Sequence, residues 1–374
     1  MERFDAIVVG AGPAGSSAAL RLAQEGARVL LLDRERFPRD KPCGGGLTYR
    51  AVRQLPVSVE PVVEDTVHRF QLGFRYRRRF ERRSESPIVL MTQRRRLDAF
   101  LAEQAAAAGA DFRDGVRATA LEQDDEGVTV RFDGSAASAP VAIGADGVNG
   151  LTARALGLTR ARSHGVALEA NVAHVHARED YRGRAVVELG TVPGGYAWVF
   201  PKGDHVNVGV GGWESEGPRL REHLDRACSG YGLPADKLES LRGYRLPMRS
   251  GGARARSGRV LLAGDAAALV DPLSGDGMYE AFVSARLASE AALSGDLDGY
   301  EPALERELGR TLAASWKAKH ALERFPRLVF GVARLPPVWG FTSAFLRGEL
   351  AHPGEATGLV RAPLRLVDVL GRRS

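Results

Sequence analysis

The sequence predicts an α/β protein: a Rossmann-like nucleotide-binding domain, a discontinuous β-sheet domain set into it, and a helical C-terminal cap. Three observations predict it. A glycine-rich turn near the N-terminus joins an apolar run to an Ala- and Leu-rich run and then to a second apolar run, the pattern of a βαβ unit. Two later segments of the same glycine-and-acid type, around Asp146 and Asp265, are separated from the first by strand-rich stretches. Residues 166–212 are strand-rich, with period-two alternation in Val206-Asn207-Val208-Gly209-Val210.

In order, Phe4–Gly10 reads as a buried strand, Ser16–Gln24 as a helix stopped by Gly26, and Arg28–Leu32 as a second strand closing on Asp33. Arg34–Tyr49 reads as loop, with Pro38, Pro42 and Cys43-Gly44-Gly45-Gly46. Phe70–Ile88 reads as a strand pair, Arg94–Ala108 as a helix and Asp111–Leu121 as a strand. Val128–Phe132 and Pro140–Ile143 read as strands of a small meander. Arg259–Leu262 is a further apolar strand, Gly277–Leu293 a helix, and the chain from Tyr300 onward is helical with several prolines. The nucleotide domain then takes residues 1–66, 90–160 and 253–299. The sheet domain takes 67–89 and 161–252, and the helical region 300–374.

At 374 residues the chain exceeds what one core usually fills. With 44% hydrophobic and 26% charged residues it has the composition of a folded globular protein. No apolar run approaches the ~18 residues that span a bilayer. Met1-Glu2-Arg3-Phe4-Asp5 leads directly into a strand, so a cytoplasmic location is expected. Two cysteines, Cys43 and Cys228, exclude a disulfide scaffold, and no His/Cys/Asp spacing suggests a metal. The net charge of +6 admits anionic ligands without pointing to nucleic acid.

In the first turn, Gly10 permits the bend after the strand, Gly12 leaves room for a pyrophosphate against the backbone, and Gly15 lets helix and strand approach. The helix that opens at Pro13 and Ala14 presents the free N–H groups of its first turn from Ala14 onward, Pro13 itself having none. Asp33, followed by Arg34, stands where an acidic residue accepts from the adenosine ribose. The second signal is Gly264-Asp265-Ala266-Ala267 with Pro272-Leu273-Ser274-Gly275-Asp276-Gly277-Met278. Asp265 can accept from ribityl hydroxyls. The turn through Pro272, Gly275, Gly277 and Met278 opens a long helix whose positive end suits N1/O2 of a reduced flavin. The expected cofactor is therefore FAD.

With Gly144-Ala145-Asp146-Gly147 these segments resemble the FAD fingerprint of the flavoproteins that include aromatic hydroxylases and geranylgeranyl reductases, and Arg94-Arg95-Arg96-Leu97-Asp98 matches the same group. The resemblance implies that Arg94 contacts FAD, that the backbone at Ala118 meets adenine, and that Asp146 belongs to the cofactor site. Gly150 departs from it where the group usually has Ser, while Arg154 is retained. Lys41-Pro42-Cys43-Gly44-Gly45-Gly46 resembles the flavin-proximal loop of geranylgeranyl reductases. Tyr196-Ala197-Trp198-Val199-Phe200-Pro201, with Gly209-Val210-Gly211, resembles their substrate-lobe signature. The likeness runs from residue 2 to about residue 300.

It implies an FAD-dependent oxidoreductase that saturates C=C bonds of a prenyl chain on an isoprenoid diphosphate, prenylated lipid, chlorophyll precursor or quinone tail. NAD(P)H or ferredoxin would serve as transient electron donor, since no second dinucleotide fingerprint is present. Cys43, Gly44 and Gly46 would lie near the flavin ring, with the Cys43 thiol either donating a proton or acting as a small loop hydrophobe. Tyr196, Trp198 and Phe200 alternate and so share one strand face, which suits a long hydrocarbon substrate, the alternative being an aromatic core of the sheet. Pro201 fits a strand end.

Two stretches remain. Arg69, Arg75, Arg77, Arg78, Arg79, Arg82 and Arg83 fit either an anionic partner or a solvated strand face. Phe325–Leu335, Val338–Leu346 and Leu359–Leu370 have apolar faces that could roof a lipid tunnel, touch a membrane peripherally, or form a buried cap. A flavin monooxygenase and a non-catalytic prenyl-binding escort are the alternative functions on the same scaffold; no partner lysine for a halogenase is evident.

Overall fold

The computed structural model describes residues 1–158, 163–250, 253–350 and 352–372. Its centre is a six-stranded sheet in the order Arg256–Ser257, Val260–Leu262, Val141–Gly144, Ala6–Val9, Val29–Leu32, Asp111–Arg113, parallel except at the first pair. The inner strands are apolar at every position because both faces are covered. Ala6, Val8, Val29 and Leu31 pack under the helices Pro13–Gln24 and Met278–Ser294. Ile7, Val9, Leu30 and Leu32 pack on a smaller four-stranded sheet. The expected α/β class, with its sheet insertions and helical C-terminal region, is the fold observed.

Several element boundaries differ from expectation. The first helix begins at Pro13, three residues before the predicted Ser16, because proline is preset for a first helical position. The run Asp111–Leu121 is two strands, Asp111–Arg113 in the central sheet and Ala118–Gln123 in the four-stranded sheet, with Gly115 (φ +68°) at the turn between. Pro140–Ile143, expected in the meander, is the strand Val141–Gly144 of the central sheet. The meander instead uses Ser135–Ala139, whose Ser and Ala residues carry little strand propensity. The predicted loop 34–49 ends in a short strand, Gly46–Thr48, paired with Val89–Thr92.

A seven-stranded sheet runs Glu239–Met248, Ser163–Ala173, His205–Trp213, Tyr196–Pro201, Arg184–Leu189, Arg69–Phe74, Arg78–Arg83. One face buries Val172, Val186, Val199, Val208 and Val210 beneath the helix Leu220–Gly230. The opposite face carries Tyr196, Trp198 and Phe200 and is roofed by the C-terminal helices. The expected division points at 160/161 and at 252 fall outside the described residues.

The cap comprises Arg310–Arg324, Pro326–Ala333, Pro336–Leu346 and Arg361–Leu370. Phe330 stacks on Phe74 with centroids 5.2 Å apart, and Trp339 meets Phe70 at 5.9 Å. The basic hairpin is tied to the cap through Arg82 and to the rest of its own lobe through Arg69 and Arg79. Arg82 donates to the Arg334 carbonyl at 2.6 Å, Arg69 to that of Arg182 at 2.8 Å and Arg79 to that of Gly230 at 2.5 Å. No helix among the described residues is long and apolar enough to cross a membrane.

Candidate functional site

A continuous cavity of about 2050 Å³ opens outside the carboxyl ends of the parallel strands and runs between the seven-stranded sheet and the cap. At its first end the glycine turn is tight everywhere except toward the cavity. A Cβ on Gly10 (φ +101°) would stand 2.5 Å from the Ala145 carbonyl oxygen, and one on Gly15 would stand 1.7 Å from that of Gly10. A Cβ on Gly12 meets nothing closer than the Arg39 guanidinium at 3.4 Å. The helix start behind it has no side-chain cap. This is an open cradle of unpaired N–H groups that suits a pyrophosphate.

Asp33 is held at the strand end by the N–H groups of Ala11 (2.7 Å) and Glu35 (2.9 Å). Arg39 lies 2.8 Å from Asp98, and Asp98 also receives Arg94 Nε and an Arg94 Nη at 2.6 and 2.7 Å. Arg39 also lies 3.9 Å from Asp33, so Arg39 and Arg94 with Asp33 and Asp98 form one charged cluster beside the cradle. Burial opposes the Arg94 charge, but Asp98 outweighs it and raises the Arg94 pKa. Asp146 borders the cavity with both oxygens committed to Thr152, at 2.5 and 2.9 Å. A Cβ at position 150 would stand 2.1 Å from the Asp146 carboxyl carbon, so this placement of Asp146 requires Gly150 in place of Ser. Ala118 begins its strand at a register shift and also borders the cavity.

Midway, Asp265 accepts from Lys41 Nζ (3.1 Å) and the Tyr244 hydroxyl (2.5 Å), and Lys41 lies over the Tyr244 ring at 4.4 Å. Burial works against the Asp265 charge, but Lys41, Tyr244 and Arg94 hold the carboxyl below its ordinary range. Asp271 closes the following turn by accepting from Leu273 N–H and from Ser274 N–H and hydroxyl. Asp276, one residue ahead of the N-cap Gly277, accepts from the N–H of Met278, the first residue of the long helix, at 2.9 Å. The Tyr196 hydroxyl donates to the Ser274 carbonyl, joining the aromatic strand to this turn.

Beyond lies an apolar chamber. Tyr196, Trp198 and Phe200 form a continuous aromatic face, with successive centroids 5.9 and 6.2 Å apart. Cys43-Gly44-Gly45 lies on that face, so close that a Cβ on Gly44 would meet the Phe200 ring at 2.9 Å. Leu72, Val187, Leu189, Val338, Trp339 and Phe341 extend the wall. Gly10, Gly12, Pro13, Ala14, Asp33, Arg34, Cys43, Gly44, Gly46, Arg94, Ala118, Asp146, Asp265, Pro272, Gly275, Gly277, Met278, Tyr196, Trp198, Phe200 and Gly211 all border the cavity. Gly15, Pro201 and Gly209 do not line it. Gly15 seats the helix on the turn, Pro201 is buried at its strand end, and Gly209 makes room for the Trp198 indole, which would stand 2.1 Å from a Cβ there.

Residues 3–286 match the family of FAD binding domains. A menaquinone reductase of Mycolicibacterium smegmatis is 32% identical over 325 residues, covering 80% of this chain and 79% of that protein. Digeranylgeranylglycerophospholipid reductase 1 of Methanopyrus kandleri is 32% identical over 309 residues, covering 78% of this chain and 80% of that protein. The crystal structure of a geranylgeranyl bacteriochlorophyll reductase-like protein from Thermoplasma acidophilum superposes with a TM-score of 0.82 at 25% identity, covering 98% of this chain and all of that one. The chain belongs to the geranylgeranyl reductase family. It is an FAD-dependent oxidoreductase.

This geranylgeranyl reductase family member also uses residues that sequence reasoning missed. Arg39, Tyr244 and Glu169 are marked by no local pattern, and Lys41 and Lys202 stand out only as members of motifs, with no role assigned to either. Asp276 adds a pH-sensitive element. Burial pushes its carboxyl up to about 6, although the Met278 N–H works the other way. A folded-state pKa above the ordinary value of 3.8 means that the native state binds the proton more tightly than the unfolded chain. Its contribution to stability is therefore fullest below that value and is lost as pH rises to about 6. Asp276→Asn keeps an oxygen that accepts from the Met278 N–H. It is expected to raise the melting temperature at neutral pH, with the gain shrinking as pH falls from about 6 toward 4. Melts across that range check this, and an equal gain at every pH would contradict the assignment.

Proposed function

We propose that this protein saturates C=C bonds of a prenyl chain. The observation that carries the proposal is the continuity of one cavity, from the glycine cradle past Cys43 into a chamber walled by aromatic and aliphatic side chains. The cradle at Gly10–Gly15, Asp33, Arg39, Arg94 and Asp265 would hold FAD, which when bound and reduced supplies a hydride, with NAD(P)H or another reductant as electron source. Tyr196, Trp198 and Phe200 hold the chain by its hydrocarbon surface, and the cap excludes water. The Cys43 thiol holds the proton that goes to the carbon opposite the one receiving hydride. An unactivated double bond gives the protein little to polarise, so alignment within the chamber does most of the work.

The test is anaerobic reduction of the flavoprotein followed by incubation with polyprenyl diphosphates, prenylated glycerolipids and menaquinones. A product heavier by two hydrogens per double bond supports the proposal. Oxygen incorporation on readmitting air, without hydrogenation, would establish a monooxygenase instead.

The cap also presents Leu359 (84% exposed), Leu366 and Val369 to solvent beside the exposed Arg361 and Arg365, and these two arginines line the cavity. This surface suits entry of the substrate from an anionic bilayer. Co-sedimentation with anionic but not neutral vesicles, abolished by Leu359→Asp with Val369→Asp, is the expected result. Equal recovery with both vesicle types argues against it.

A further inference from the structure

The Cys43 peptide is gripped from both sides by ionisable side chains of the seven-stranded sheet. Its N–H donates to Glu169 Oε1 at 2.8 Å, and its carbonyl accepts from Lys202 Nζ at 3.1 Å. Glu169 belongs to the strand Ser163–Ala173, and Lys202 follows directly on the strand Tyr196–Pro201. We infer that Glu169 and Lys202 are positioning residues that clamp Cys43 in place against the aromatic face.

Three features favour a clamp over incidental packing. Lys202 is 5% exposed, and a lysine that far from water needs partners. Burial pushes the Glu169 carboxyl up and the Lys202 ammonium down, and each is partly offset by the other's charge. The polar chain also extends to the substrate wall. Asn207 lies beside Glu169 and favours its charged form, donates to Asn171 at 3.0 Å, and its carbonyl oxygen accepts from the Trp198 indole at 2.7 Å. The middle ring of the aromatic face and the Cys43 peptide are thus referenced to one buried network.

Next to Cys43 the loop is also held by Thr92. Gly45 has φ +79°, and a Cβ there would stand 2.1 Å from the Thr92 carbonyl oxygen and 2.9 Å from Lys202 Cε. Its own carbonyl accepts from the Thr92 N–H at 2.8 Å. Releasing Glu169 or Lys202 therefore frees the Cys43 peptide without dissolving the rest of the loop.

The inference rests on Cys43 facing the reaction chamber, and thiol labelling tests the clamp apart from catalysis. The flavoprotein carries two thiols: Cys43, partly exposed, and Cys228, fully buried. Glu169→Ala and Lys202→Met are each expected to speed iodoacetamide alkylation of Cys43 about tenfold, the loss of one hydrogen bond to a charged group. Glu169→Gln keeps an acceptor oxygen and should stay within about twofold of wild type. Peptide mapping should show Cys228 unreacted in all three. Wild-type labelling rates in both Glu169→Ala and Lys202→Met overturn the clamp. If Glu169→Ala also labels Cys228 it has lost its fold, and Lys202→Met then decides. Cys43→Ala is measured separately for turnover. Unchanged turnover there removes the thiol from the chemistry while the labelling result stands.

Discussion

Gly12→Leu is expected to purify as a folded protein without flavin colour, whereas Gly15→Ala is expected to lose stability of the fold itself. The two glycines sit in the same turn and are required for different reasons. At Gly12 the nearest atom to an added Cβ belongs to the Arg39 guanidinium, at 3.4 Å, and the space ahead is cavity. A leucine there starts from a Cβ that meets no protein atom closer than 3.4 Å and extends into the volume a pyrophosphate needs. FAD affinity should fall by at least ~100-fold, about 2.7 kcal/mol, while the apoprotein melts close to wild-type apoprotein. At Gly15 a methyl group would overlap the Gly10 carbonyl oxygen at 1.7 Å. The helix must then lift off the strand, disturbing the packing of Ala14, Ala18 and Ala19 in the main core. A loss of about 3 kcal/mol is expected, seen as a lower melting temperature with and without added FAD. Stoichiometric flavin in purified Gly12→Leu would show that the cradle is not the cofactor's seat.

The same contrast explains what was legible in the sequence. The glycine turn, the strand Val29–Leu32 and the helix Met278–Ser294 announce themselves because their requirements are local: a backbone bend, a buried period, a helix start. The aromatic strand was legible as a face, but only the fold decides that the face is lined by a cavity and not by core. Residues whose partners are far along the chain were not legible. Lys41 meets Asp265 across 224 positions and Cys43 meets Glu169 across 126. Arg39 was hidden for a different reason. One arginine among 52 basic residues carries little information until Asp98 is seen to hold it beside the cradle. The strand Ser135–Ala139 was missed because its neighbours supply the stability that its own residues do not.

Asp265→Asn should show the second large effect, because one carboxylate joins three parts of the site. Its Oδ2 receives Lys41 from the Cys43 loop and Tyr244 from the seven-stranded sheet, and its Oδ1 faces Gly277 at the helix start, 3.4 Å from where a Cβ would be. An amide in its place leaves the Lys41 ammonium partly buried without a counter-charge, a situation that typically costs about 3 kcal/mol. It also weakens the acceptor available to ribityl hydroxyls. FAD affinity is expected to fall about 100-fold, and the apoprotein to lose stability as well. The two losses separate in a double variant. Lys41→Met removes the unpaired charge, so Asp265→Asn with Lys41→Met should recover most of the stability but little of the affinity, which fluorescence titration of FAD into the apoproteins would measure. Recovery of both together would mean that Asp265 acts only by pairing Lys41. If instead Asp265→Asn binds FAD as tightly as wild type, Asp265 is a structural tie between sheet, loop and helix, and the ribityl chain must find its acceptor elsewhere in the cavity.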